Sequence, residues 1–247
     1  MPHSTLRIAT FNIHKGVSSF NARSVLYEQR ELLRKLHADV VFLQEVRGAH
    51  KRHRKLTIGG QHEFLADTVW PDFAYGQNAI RSGGHHGNAI LSKFPITHWE
   101  NVDISASKVE QRGLLHCEIA IPGWDQPLHC ICVHLGLFAF WRRKQLQAIN
   151  QRINSLVPEN APLILAGDFN DWGQSAGKIL TEQQHLHEVF EFSHGKHARS
   201  FPSLLPIFRL DRIYTRGFRV QHNQVHDGTL FANVSDHAAL SATLLRL

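Results

Sequence analysis

At 247 residues and 43% hydrophobic content the chain can bury a sizeable core, and no stretch is apolar for long enough to span a bilayer. Lys and Arg outnumber Asp and Glu by 27 to 21, a formal net charge of +6 that favours an anionic partner, nucleic acid or an anionic lipid surface. Cys117, Cys130 and Cys132 are odd in number, and the last two lie two apart on one expected strand, a poor geometry for bridging; with no apolar signal region after Met1, a soluble cytoplasmic protein is expected.

In chain order, Leu6 to Ile13 alternates like a strand and stops at the turn His14-Lys15-Gly16. Asn21 is an N-cap for a predicted helix over Ala22 to Leu36, with Val25, Leu26, Leu32, Leu33 and Leu36 on its apolar face. Asp39 to Glu45 is a second buried strand that delivers Glu45 at its end. Strand, helix, strand predicts a right-handed crossover and parallel neighbours, so Asn12 and Glu45 are expected at one edge of the sheet. A basic run follows: Arg47, Lys51, Arg52, Arg54 and Lys55. Phe73–Gly76, Gly87–Ser92, Ile96–Val102, Gly113–Ile121 and Leu128–Val133 are predicted as one meander, closed by His134. Trp141 to Val157 is an amphipathic helix after the apolar loop Gly136 to Phe140.

Leu163-Ile164-Leu165 is a short buried strand, with Gly167 marking where the backbone turns out. On an extended backbone Asp168 and Asn170 leave the same face. One or two short helices are predicted over Ser175 to Phe192, then strands over Leu210–Thr215, Phe218–Val225 and Ala239–Leu245. There are no repeats or linker-like shifts, so 1–247 reads as one domain of α/β (α+β) class, two stacked mixed sheets flanked by helices.

The polar residues that close these apolar runs are Asn12, Glu45, His134, Asp168, Asn170, Asp211, Asp236 and His237. A buried Asp211 must be paired, because a bare carboxylate is too costly to bury. Oxygen-rich side chains suit Mg2+ or Mn2+ rather than structural zinc. The chain carries no P-loop, nucleophile elbow or dinucleotide fingerprint, which excludes kinase, serine hydrolase and dehydrogenase readings.

The stretches Thr10-Phe11-Asn12-Ile13, Leu43-Gln44-Glu45-Val46-Arg47, Gly87 to Ser92, Val133-His134-Leu135, Gly167-Asp168-Phe169-Asn170, Leu210-Asp211-Arg212-Ile213 and Ser235-Asp236-His237 follow one another in the order of a known family. On them the chain resembles the endonuclease/exonuclease/phosphatase superfamily, the metal-dependent phosphoesterases related to deoxyribonuclease I. The resemblance implies a four-layer α/β sandwich with the site at one edge of two facing sheets. It implies Glu45 as principal metal ligand with Asn12 and Asp236, and Asp168 as the residue that orients or deprotonates water. It gives Asn170 and His134 to the phosphate, and places His237 at the developing charge, oriented by Asp211. Arg112, Asn88, Tyr75 and Arg47 are candidates for substrate binding. Ile131 and His134 stand where the abasic-site branch carries Tyr and Asn, so the pattern is closer to the deoxyribonuclease, sphingomyelinase and inositol-phosphatase branches.

The expected function is therefore divalent-metal-dependent hydrolysis of phosphodiesters by in-line water attack, first of all in DNA or RNA, by a monomer. The alternatives are a phospholipid or inositol-phosphate phosphodiesterase or phosphatase of the same fold, favoured by the apolar loops 137–143 and 201–208, and a non-catalytic nucleic-acid-binding module that uses the basic run.

Overall fold

Alternation along the first strand decides the layering. In β1 (Thr5–Asn12) Leu6 and Ile8 face a core between two sheets, whereas Ala9 and Phe11 face helices on the other side. The structure is a computed structural model that describes residues 4–18, 23–48, 60–81, 84–173 and 176–247. After β1 the chain runs through α1 (Leu26–Lys35), β2 (Val40–Arg47), α2 (Gln61–Ala66), β3 (Asp72–Arg81) and β4 (Gly84–Ser92). Then come β5 (Ile96–Asp103), β6 (Gly113–Ile119), β7 (Leu128–His134), α3 (Ala139–Leu156), β8 (Leu163–Asp168), α4 (Ala176–Gln184), β9 (His187–Glu188) and α5 (Val189–His194). The last elements are β10 (Asp211–Arg216), β11 (Phe218–His226), α6 (Thr229–Ala232) and β12 (Ala239–Arg246).

The strands form two six-stranded sheets, ordered β11-β12-β1-β2-β4-β3 and β5-β6-β7-β8-β10-β9. Each is mixed: β1 and β2 are parallel in one, β7 and β8 in the other, and the remaining pairs are antiparallel. Between the sheets Val40 and Phe42 pack among Cys130, Cys132, Ile164, Ala166 and Ile213. Outside the first sheet Val41 and Leu43 pack under α1 and α2 through Leu33, Leu65 and Trp70. Outside the second, Ile131, Val133 and Leu165 pack under α3 and α4 through Leu146, Ile149, Ile153 and Leu180. Helix, sheet, sheet, helix is the expected four-layer sandwich. No helix among the described residues is long and apolar enough to cross a membrane.

The apolar face predicted for the first helix is buried as expected, but the helix itself begins at Leu26; Asn21 and Ala22 lie outside the described residues. The predicted meander is two separate arrays. β3 and β4 belong to the first sheet and β5, β6 and β7 to the second, so the short link 93–95 carries the chain across the sandwich. Local alternation cannot show this, because either sheet satisfies it. Gly167 does not turn the strand out: it lies inside β8, paired with Val133 and Arg212. Its φ of +147° and the Val133 carbonyl, 1.9 Å from where a Cβ would sit, explain the glycine. The predicted helical stretch over 175–192 is α4 and α5, separated by the two-residue β9.

A buried chain of polar groups ties α3 to the second sheet. Arg152 Nε donates to His116 Nδ1 at 3.2 Å, which places the ring proton on Nε2, 3.0 Å from His129 Nδ1. Burial pushes His116 down to about 3, and His129 and Arg152 beside it add to the effect. In the unfolded chain this histidine titrates near 6.5, so protons bind the unfolded state first and stability is lost as pH falls below that value. Between pH 7.5 and 5 this single group is expected to cost about 2 kcal/mol. Urea unfolding across that range checks it: the stability of His116→Gln should fall less steeply than wild type by that amount.

Candidate active site

Six of the eight strand-closing polar residues, Asn12, His134, Asp168, Asn170, Asp211 and His237, are drawn together by hydrogen bonds and close ion pairs at one edge of the two sheets; Asp236 sits beside them paired with His14, and Glu45 on β2. β1 delivers Asn12, and its Cα partner on β2 is Gln44, so Glu45 follows immediately alongside. β2 is bulged there: the register with β4 shifts between Leu43 and Val46, and Glu45 adopts a φ of +58°. A bulge of this kind re-aims a side chain, and a non-glycine residue at positive φ stores strain where function needs it. Its Oε2 is buried without a hydrogen-bond donor, 3.3 Å from Lys15 Nζ.

The second sheet supplies His134, Asp168 and Asp211 from the ends of β7, β8 and β10, which the register pairs directly as His134 with Asp168 and Asp168 with Asp211. Asp168 is the hub. Its Oδ2 accepts from Asn12 Nδ2 at 3.1 Å and lies 3.4 Å from His134 Nε2 and 3.7 Å from His237 Nε2. The other face of His237 is fixed by a 2.9 Å hydrogen bond from Nδ1 to Asp211 Oδ2. Asp211 is thus paired, as its burial demanded.

Burial raises the Asp168 carboxyl to about 6, partly offset by the neighbouring imidazolium of His237. For His237 burial opposes the charge, but the Asp211 and Asp168 carboxylates outweigh it and lift the imidazole to about 10. Burial holds His134 well below its usual range, helped by the nearby Arg112 guanidinium, so it is a neutral ring. The two imidazoles in one enclosure are therefore driven to different protonation states beside a carboxyl whose proton affinity is raised, the arrangement acid–base chemistry requires.

Asn170 reaches the site by a different route from the one expected. Its φ is +47°, so the strand has ended and the two side chains do not share a pleat. Instead its backbone N–H donates to Asp168 Oδ1 at 2.9 Å, and its Nδ2 donates to Leu135 O at 3.0 Å, which leaves one amide hydrogen for a ligand. Asp236 pairs with His14 Nδ1 at 3.0 Å. Burial opposes the ionised carboxylate, yet the His14 hydrogen bond and the nearby His237 charge keep it below its usual range.

Sequence reasoning gave no role to His14, Lys15, Gln44 or Ser235. Ser235 Oγ donates to Asn12 O at 2.6 Å and accepts from His237 N at 3.1 Å, clasping the two ends of the chain beside the hub. Gln44 bridges the sheets through Thr10 Oγ1 and Cys132 Sγ. The signal for the first two was their place in the turn just past Asn12, and for Ser235 its place directly before Asp236.

Of the substrate-binding candidates, Arg112 is nearest in electrostatic terms: Glu110 takes Nη2 at 2.8 Å and leaves the buried Nε without an acceptor. Asn88 ties β4 to the second sheet by donating to Gly113 O and Cys132 O. Tyr75 is stacked on His62 with centroids 4.6 Å apart, and its hydroxyl meets His85 Nδ1 at 2.9 Å, just beyond the Glu45 bulge. Arg47 ends β2 with an exposed side chain, and the basic residues Lys51, Arg52, Arg54 and Lys55 lie outside the described residues.

The donor atoms fit a hard divalent cation. Glu45 offers a buried carboxylate oxygen that no hydrogen bond satisfies, with a lysine ammonium already lying against it, and Asp236 adds a second carboxylate, held at Oδ1 by His14. Donor atoms of Asp168, Asp211 and His237 also lie within 4.8 Å of one another. Two of these are already committed to the His237–Asp211 bond.

Strand-end carboxylates and imidazoles at the edge of facing sheets make this a phosphoesterase fold. The model of the endonuclease/exonuclease/phosphatase family matches residues 9–237, and the chain belongs to that family, whose members are generally hydrolytic phosphoesterases and typically depend on a divalent metal. The uncharacterized protein YbhP of Escherichia coli (strain K12) is 44% identical over 252 residues, covering 99% of both chains. Among solved structures, an endonuclease/exonuclease/phosphatase from Beutenbergia cavernae superposes with a TM-score of 0.78 at 19% identity, over 99% of this chain and 72% of that one. TDP2 of D. rerio, complexed with a single strand DNA product, superposes with a TM-score of 0.73 at 22% identity, over 98% of this chain and 99% of that one.

Proposed function

We propose that the protein is a divalent-metal-dependent phosphodiesterase, one catalytic domain over 1–247, that attacks phosphorus with an in-line water. The observation that carries this reading is the buried series Asn12–Asp168–His237–Asp211, in which one carboxylate oxygen faces an amide and two imidazoles. Asp168 Oδ2 takes the proton of the attacking water as its oxygen bonds to phosphorus. His237, charged and held by Asp211, gives its Nε2 proton to the leaving oxygen as the opposite P–O bond breaks. Neutral His134 and the free amide hydrogen of Asn170 hold non-bridging oxygens, where charge accumulates with little covalent work for the protein. Asn12, Glu45 and Asp236 would hold Mg2+ or Mn2+, which supplies positive charge to the phosphate oxygens.

On substrate, the +6 charge and the DNA-bound relative support nucleic acid. A lipid-borne diester is supported by the exposed apolar loops around the mouth. Three buried free thiols suit a cytoplasmic setting. Turnover of bis-p-nitrophenyl phosphate should vanish in excess EDTA and return with Mg2+ or Mn2+, with calorimetry showing that Glu45→Gln binds the ion at least about tenfold more weakly. Full turnover by metal-stripped protein would overturn the reading.

A further inference from the structure

We propose that the mouth of the site docks on an anionic lipid bilayer through two rigid apolar loops and a basic cleft behind one of them. Leu137, Phe138 and Phe140 project after β7, and Phe138 reaches 62% exposure. Leu204, Leu205 and Ile207 project from the loop before β10, and Leu205 reaches 75%. Trp172, four residues past Asp168, links the second loop to the site by packing edge-on against Phe208 at 4.7 Å, while Phe201 lies 5.0 Å from the His237 ring. Arg142 links the first by donating to the carbonyls of Gly136 and Leu137 and approaching Asp171 at 3.7 Å.

Neither loop is free to fold its apolar side chains inward. Ser203 is bonded by its N–H to Asp236 O and by its hydroxyl to Ser235 O, and Phe201 pairs with Phe208 across the turn. Gly136 N–H donates to Gln145 Oε1 at 2.8 Å, and Leu137 N–H to Glu110 Oε1 at 3.2 Å. The exposure is thus built into the backbone, and large apolar side chains clustered in this way on a loop tip mark an interaction site.

Charge together with the aliphatic tips selects the occupant. Behind Pro206 a cleft of about 570 Å³ is lined by Lys196, Arg199 and Arg209 against a single carboxylate, Asp227. Beside the first loop Lys144 Nζ sits 4.8 Å over the Phe140 ring. Apolar tips with cations set just behind them match acyl chains beneath anionic headgroups. Aliphatic Leu204, Leu205 and Ile207 offer no face on which a base could stack, which is what a single-strand platform needs.

Co-sedimentation of the full chain with vesicles tests the proposal. Wild type should pellet with phosphatidylcholine containing about one-third phosphatidylglycerol and bind pure phosphatidylcholine at least about tenfold more weakly, with affinity falling as salt rises. Leu204→Ser with Leu205→Ser should lose about tenfold or more on the mixed vesicles, and Lys196→Gln with Arg199→Gln should lose a similar factor and flatten the salt dependence. Both double variants should keep wild-type melting and wild-type turnover of the soluble diester, since none of these residues touches the site. Wild type remaining in the supernatant at low salt, or variants pelleting like wild type, would overturn the docking surface. So would an apolar double variant that loses plasmid DNA binding instead. Docking is read by sedimentation and hydrolysis by the soluble diester, so either can fail without the other.

Discussion

Asp168→Asn is expected to lower kcat on a small diester by about three to four orders of magnitude with KM little changed. The amide keeps the volume of a side chain that is fully enclosed but cannot take a proton from water. The local cost is defined by the hydrogen bonds. The bond from Asn170 N–H survives, because a carboxamide oxygen can still accept it. The contact with Asn12 Nδ2 then sets donor against donor, and Asn12 cannot simply flip, since its Oδ1 already accepts from His14 N–H at 3.1 Å. A stability loss of about 1 kcal/mol follows from that mismatch, far too small to explain the rate. Steady-state kinetics beside a urea titration separates the two; near wild-type kcat with unchanged folding would remove Asp168 from the chemistry.

The second large effect falls on His237, the proposed proton donor. His237→Ala should cost about a thousandfold in kcat, and added imidazole should restore part of it, because the vacated space keeps the Asp211 carboxylate that orients the ring. Asp211→Asn should cost less than His237→Ala, since the imidazole remains but loses the charge that keeps it protonated. Combining His237→Ala with Asp168→Asn should cost much less than the product of the single losses, as residues that act as one unit do. Multiplicative losses would mean that the two act in separate steps.

The strand ends were legible because a polar residue that stops an apolar run is conspicuous: Asn12, His134, Asp168 and Asp211 all occupy such ends. What the residues could not reveal is how three of the positions are aimed. The Glu45 bulge carries no glycine to announce its positive φ, and Asn170 was assigned to an extended backbone that has already turned. Gln44 sits in the middle of an apolar run, where its bond to Cys132 exists only once a second sheet is opposite. Sheet membership was hidden for the same reason: residues 93–95 look like any turn, whether the chain returns to its neighbour or crosses the sandwich.

The clasp between Ser235 and Asn12 joins residues 223 positions apart, and β1 pairs with β12 along its length. Asn12 is therefore held in place by a residue far downstream, and the two halves of the site meet only through tertiary structure. A fragment that stops before Ser235 lacks both the proposed proton donor His237 and the clasp that fixes Asn12. On the proposed mechanism both ends of the site are needed at once, so a copy that loses the β1–β12 pairing is expected to be inactive on a soluble diester.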